Sequence, residues 1–352
     1  VERTKQTLQI ILFFLIGSAI LYWVYQKSNA AFIEDCSLKG ISYEDCNLLK
    51  KVKTDFINSD KFYVTLCIFL FLVSNIFRTL RWQQLLSPLG KKPNFINAFG
   101  SVAIGYITNL TIPRSGEVVR AGILTKYENI KFENAFGTIV TERIVDLICL
   151  LIVVLLGVLF AGNTILHYFN ANFSLEDKVA VIKEHPIILG LVLLSIFGLG
   201  VILLYKKNKL IKSKFGIKLL NFFKGLLEGI VSIRKLNNPL LFIFYSIAIW
   251  LLYYLMTYLM FFALESTSHL DAITGLVVFI FGSLGMVFPS PGGMGSYHFL
   301  IEEALKIYGL DLADSFSFAN IMFFAIQIFG IILFGLLAFL YLPFYNKKKN
   351  DN

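Results

Sequence analysis

The chain has 352 residues, 57% of them hydrophobic, 15% aromatic and only 16% charged. Soluble domains carry about 25% charged and about 45–50% apolar residues, so a soluble nucleotide-binding enzyme, a secreted disulfide scaffold and a disordered chain are excluded. In so apolar a chain the net charge of +9 reads as basic cytoplasmic loops facing an anionic membrane surface, with no nucleic acid partner.

Apolar runs occupy about residues 8–25, 62–80, 95–112, 134–161, 187–205, 239–264, 272–288 and 316–343. The long ones approach or exceed the ~20 residues that cross a bilayer as a helix. Ser28-Asn29-Ala30 after the first run resembles a signal cleavage site. However, Leu8–Tyr25 is long for a signal core and ends in Tyr22, Trp23 and Tyr25, an interfacial aromatic belt, so it reads as a retained span. Cys36 and Cys46 share the polar loop that follows and could pair if that loop lies outside the cytoplasm. Cys67 and Cys149 fall inside apolar runs and read as inert packing.

Two runs are broken. Residues 95–112 stop at Pro113-Arg114-Ser115-Gly116-Glu117, and residues 272–288 stop at Pro289-Ser290-Pro291-Gly292-Gly293-Met294-Gly295. Both breaks place a β-branched or aromatic residue before Pro, then two residues, then Gly. This shared form predicts an internal repeat, with units at 62–161 and 239–343.

The Lys/Arg distribution sets the topology. If both broken segments enter the membrane and return to the same side, the cytoplasmic pieces are 1–7, 78–133, 206–238 and 344–352. These hold 22 of the 32 Lys/Arg and 6 of the 23 Asp/Glu. The loop 206–238 alone carries nine Lys/Arg against Glu228, and full crossing by the broken segments would put it outside. The expectation is one all-α polytopic membrane domain over 1–352, in the cell (inner) membrane, with both termini cytoplasmic. It has six spanning helices plus two re-entrant hairpins, 95–131 and 272–315, in an inverted repeat of the kind that builds midplane substrate sites in transporters. Within 206–238, the apolar spacing of Phe215–Leu236 predicts a basic amphipathic helix on the membrane surface, a linker between the units.

Non-helical backbone at membrane depth is tolerated where it is buried in protein or lines a polar cavity. At each break the second half-helix aims free N–H groups inward, a ready anion site. Pro291, Gly292, Gly293 and Gly295 shape the second turn, and Gly116 the first. Arg114, Glu117 and Arg120 surround the first break, and the arginines could grip a phosphate through paired donors. Asn109 approaches the freed backbone. In the fourth run, Glu142 lies about 12 Å deep at 1.5 Å per residue. Arg143 and Asp146 pair at i,i+3, leaving Glu142 to meet Arg114 or Arg120. A purely structural charge network is the competing reading. His298 and Glu302 stand at i,i+4 after the second break; His298 is a candidate proton site, against the plainer role of a polar contact. No metal-ligand spacing and no cofactor motif appear.

The sequence resembles the transmembrane, flippase-like domain of lysylphosphatidylglycerol synthases, which also occurs as a stand-alone membrane protein. The resemblance rests on Arg78-Thr79-Leu80-Arg81-Trp82 with Leu85-Leu86 and Gly90. It continues through Asn109-Leu110, Pro113–Glu117, Arg120-Ala121, Glu142-Arg143, Asp146 and Pro291–Gly295. It implies movement of an anionic phospholipid or a lipid-linked headgroup between leaflets. Only nine residues follow Pro343, so no soluble aminoacyl-transfer domain is expected and the chain should not make lysylphosphatidylglycerol. The family often has an acid shortly after the glycine-rich turn; here Tyr297-His298 stand there, with His298 or Glu302 as substitutes. The reading carried forward is a lipid transporter and not an enzyme. The alternatives are an integral-membrane transferase, for which no catalytic cluster is evident, and a non-transporting partner of an envelope lipid- or glycan-synthesis enzyme.

Overall fold

The structure is a computed structural model that describes residues 2–38, 46–172, 235–288 and 290–351. The expected span at 187–205 and nearly all of the basic linker at 206–238 lie outside these residues. Every regular element among the described residues is helical. In chain order these are α1 (Glu2–Leu38), α2 (Leu48–Asn58), α3 (Lys61–Leu86), α4 (Phe95–Thr111), α5 (Gly116–Glu128), α6 (Phe132–Asn172), α7 (Pro239–Phe261), α8 (Ala272–Val287), α9 (Ser296–Ile307), α10 (Leu312–Phe323) and α11 (Ile331–Asp351). A π-helical stretch, Phe324–Gly330, joins α10 to α11.

The helix starts are written in short polar side chains. Asn47, Asp60, Asn94, Asn238, Asp271 and Asp311 each sit at an N-cap and accept a hydrogen bond from a backbone N–H in the first turn. Four segments are long and apolar enough to cross a membrane: 61–89, 132–166, 239–261 and 312–347. The first apolar run forms part of the 37-residue α1. On α6, Ile144, Ile148, Leu151, Leu155 and Leu159 are all exposed, an apolar face suited to lipid.

The two broken runs fold as helix–turn–helix hairpins. Residues 112–115 turn α4 back onto α5, and residues 290–295 lie in the turn of α8 onto α9. The first turn leaves no room at Gly116. A Cβ there would fall 2.8 Å from the Asn109 amide and closer still to the Gly105 carbonyl. Packing between the halves is reciprocal. α3 runs along α7; α6 packs on α8, where Gly157 faces Ile280; and α11 packs on α4, where Gly335 faces Ile107. The last long helix of each half therefore covers the first half-helix of the other. The largest apolar core joins α3, α7, α8, α9 and α10 around Met260, Phe261, Val277, Leu305 and Phe318. A second, around Trp82, Leu124 and Ile139, joins α3, α5 and α6. α2 clamps α1 to α10 through Leu48, Val24 and Phe316. Cys36 and Cys46 are both buried.

Candidate functional site

Charged side chains meet where α3, α5 and α6 converge. α3 presents Arg78 and Arg81, three residues apart and so on one face. Trp82 next to them donates its indole N–H to Thr138 Oγ1 at 2.9 Å, fixing α3 against α6. The guanidinium of Arg120 from α5 lies over the Trp82 ring, 3.7 Å from its centroid.

Glu142 is fully buried and gathers three arginines. Its Oε1 is 2.8 Å from Arg78 Nη1 and 3.4 Å from Arg81 Nη2, and its Oε2 is 2.9 Å from Arg120 Nη2. The last is a charge contact without hydrogen-bond alignment. Asp146, one turn on, takes Arg81 Nη2 at 2.6 Å and Arg78 Nη2 at 3.3 Å. Arg143 reaches Glu117 at 3.1 Å and Asp146 at 3.7 Å, and its side chain stays 44% exposed. From α7, Tyr253 Oη and Ser246 Oγ accept from Arg78 and Arg81 at 3.2 and 3.3 Å. Four arginines face three carboxylates, so the cluster keeps one unbalanced positive charge. Each member is costly to bury alone; together they offset most of one another's charge.

This cluster borders a partly open cavity of about 440 Å³ lined by both halves. Arg78, Arg143 and Asp146, with the Tyr106 and Tyr253 rings, make the polar end. Leu147, Trp250, Met256, Phe279, Met286 and Ile301 are among the apolar walls. An anion can be held at one end while a hydrocarbon chain lies against the other.

The structure brings Glu117, Arg120, Glu142, Arg143 and Asp146 into one cluster. Arg120 does meet Glu142, but it is itself buried and engaged. Arg114 goes elsewhere. Its backbone adopts φ +63° and its Nη2 donates to the Val287 carbonyl at 3.0 Å, at the C-terminal end of α8. A cation there suits the negative helix terminus. The anion site expected at the α5 start is occupied from within, because the Gly116 N–H donates to Asn109 Oδ1 at 2.7 Å. Pro291 and Gly293 are buried in the second turn, and Gly295 lies against Gly17 of α1. Gly292, at φ +58°, faces Leu110, where a Cβ would come within 2.7 Å. The two breaks thus touch tip to tip. His298 and Glu302 are buried on another face, toward α1 and α10.

Arg78 and Arg81 belong to the site although they stood in the sequence only as part of a motif. Their signal was two arginines at i,i+3 at the end of an apolar run, a placement that also fits ordinary positive-inside flanks. Tyr106, Trp250 and Tyr253 carried no local signal. Among the described residues no group of three or more His, Cys, Asp or Glu side chains converges as a metal site.

Comparison with known proteins agrees with the helical membrane architecture. The family described as the lysylphosphatidylglycerol synthase TM region matches residues 48–335. Two UPF0104 membrane proteins of Methanocaldococcus jannaschii are similar. One is 30% identical over 149 residues, 42% of this chain and 38% of the relative; the other is 27% identical over 214 residues, 60% and 84%. A glycosyltransferase of Haloferax volcanii, AglD, is 30% identical over 128 residues, 36% of this chain and 19% of that protein. The matched stretch therefore spans well under half of the first and third of these relatives. No solved structure matches. The chain is a membrane protein and belongs to the lysylphosphatidylglycerol synthase transmembrane-region family.

Proposed function

We propose that this chain is a lipid transporter that moves an anionic phospholipid or lipid-linked headgroup between leaflets of the cell membrane and catalyses no covalent chemistry. The observation that carries the reading is the amphipathic cavity. Its polar end has an unbalanced positive charge and a half-exposed arginine, Arg143, whose planar donors match a phosphate. Its remaining walls suit a hydrocarbon chain. Arg78, Arg81 and Arg120, held by Glu142 and Asp146, supply the field; Arg143 supplies the contact. Arg114 and the glycine turn at 291–295 act at the meeting point of the hairpins, where they control passage.

Reciprocal packing of the two halves supports an inverted repeat with re-entrant hairpins, units 62–161 and 239–343, and the Lys/Arg bias of the sequence supports both termini in the cytoplasm. The deciding experiment is fluorescent-lipid movement in proteoliposomes with a panel of labelled lipids. Phosphatidylglycerol should cross the bilayer faster than in protein-free vesicles and faster than labelled phosphatidylcholine. Equal rates for protein and empty vesicles would reject transport. A second reading has one observation behind it, the similarity to a protein named as a glycosyltransferase: the chain would serve glycan synthesis as a non-transporting membrane partner. It gains if no lipid in the panel moves.

A further inference from the structure

α9 has two distinct faces. Tyr297 and Ile301 line the cavity. One position further, His298 and Glu302 form an i,i+4 pair rotated by about 100° from that wall. Both are almost completely buried, His298 at 1% and Glu302 at 0% exposure. Glu302 Oε1 accepts a hydrogen bond from Ser28 Oγ of α1 at 3.1 Å. Its Oε2 has no partner, and neither has His298 Nδ1. The His298 ring lies 4.7 Å from that of Phe323 on α10.

No cation forms an ion pair with Glu302 among the described residues. Lys27 faces it from α1 but bonds Glu303 at 2.7 Å. α8 contributes no titratable residue to this side. On α10, Asp314 is paired with Lys51 at 2.6 Å, and Asn320 is neutral. The charges of α6, including Arg143 and Asp146, lie at the polar end of the cavity, which the other face of α9 lines. An ionised carboxylate enclosed in this way has no cation in direct contact, since the nearby Lys27 is bonded to Glu303; the neutral acid needs only hydrogen bonds.

We propose that Glu302 is a proton-binding site whose occupancy sets how α9 packs against α1 and α10, and thereby the shape of the cavity on the opposite face. The proton adds to Oε2 from water and leaves the same way, with no other bond changed. With the proton bound, α9 seats against Ser28 and Phe323. With it lost, a buried negative charge drives α9 away from this seat and toward solvent. Met322, Ile326 and Gln327, on α10 and its π-helical continuation, line the cavity and lie beside the same contact. π-Helical turns mark places where a helix can reorganise. The link to lipid movement rests on the function proposed above; the proton site itself does not.

The two parts separate in experiment. Infrared difference spectra of the purified full chain, titrated from acid to alkaline pH, should contain the carbonyl stretch of a protonated buried carboxyl. Glu302→Gln should remove that band. Ser28→Ala should keep it and move its titration to higher pH, since a hydrogen bond that favours the carboxylate is gone. A band unchanged in Glu302→Gln overturns the proposal, and so does loss of the band on adding sodium chloride at fixed pH, which would assign the site to a metal cation. If Glu302→Gln does not fold, the Ser28→Ala titration decides, and an unmoved midpoint overturns the site. In proteoliposomes, labelled phosphatidylglycerol should move at a rate that depends on pH in wild type and not in Glu302→Gln. Movement independent of pH in wild type overturns the coupling. An intact infrared result without lipid movement in wild type rejects the transport reading and leaves the proton site standing.

Discussion

The arginine cluster of α3, α5 and α6 and the acid pocket of α9 meet the same cost in opposite ways. Both place ionisable groups among apolar helices. In the cluster every carboxylate has at least one arginine partner at 3.1 Å or less, and the surplus charge is positive. In the pocket Glu302 has a serine and no cation. Paired charges stay charged and fix the geometry around them. An unpaired acid is comfortable only when neutral, so its surroundings can respond to a proton. The molecule therefore has a polar cavity end held by paired charges and, on the far side of one cavity wall, the acid that we propose responds to a proton.

The largest expected effect tests the rigid half. Glu142→Gln leaves three arginines facing each other, and breaking a buried pair costs about 3–5 kcal/mol. Thermal unfolding in detergent should show a large loss of stability. A variant as stable as wild type would mean that the cluster is not structural.

Gly116→Ala probes the hairpin that delivers Arg120. Its methyl would press on Asn109 and the Gly105 carbonyl, and overpacking of this kind costs about 1–3 kcal/mol. The same unfolding measurement should place it below Glu142→Gln. An unperturbed Gly116→Ala would show that α4 and α5 separate easily.

Arg114→Ala removes the donor from the Val287 carbonyl. A cation near a helix C-terminus contributes about 0.3–1 kcal/mol, so stability should fall only slightly. Because the contact bridges the two breaks, the lipid-movement rate should change more than stability does. A large unfolding shift with an unchanged rate would reverse the assignment and make Arg114 a structural residue.

The last effect is read through pH, at the N-cap of α8. Thr274 donates to Asp271 from its backbone N–H and then from its hydroxyl, holding the carboxyl below the usual range. A depressed value contributes stability above the unfolded-state value that is lost as pH falls through the folded one. Asp271→Ala should cost about 1 kcal/mol as a lost cap near neutral pH. That difference from wild type should shrink on acidification. A difference that grows in acid would contradict the cap.

Much of the scaffold was legible in the sequence. The runs at 62–80, 134–161 and 239–264 match α3, α6 and α7, because length and hydropathy are local properties. The turns at 113–116 and 291–295 were legible because Pro and Gly interrupt helices for local reasons. α2 was not, since 11 residues with four charges make no apolar run. The site was legible where a charge stands inside an apolar stretch, as at Glu142 and Asp146. It was not legible where the meaning of a residue depends on partners far along the chain. Arg78 is 64 residues from Glu142 and 175 from Tyr253, and the end of Arg114's reach, at Val287, lies 173 residues away. His298 and Glu302 were visible as a pair, but their separation from the arginines is a product of tertiary packing.

The central claim is that an anionic lipid passes through the cavity between the halves. Ser283 lines that cavity and takes no part in the arginine cluster's ion pairs. With the native cysteines replaced by serine, Ser283→Cys can be plugged with a bulky maleimide or capped with a small methylating reagent, and movement of labelled phosphatidylglycerol followed in proteoliposomes. The account predicts that the plug stops movement and the small cap leaves it running. Full-rate movement through the plugged protein would contradict it.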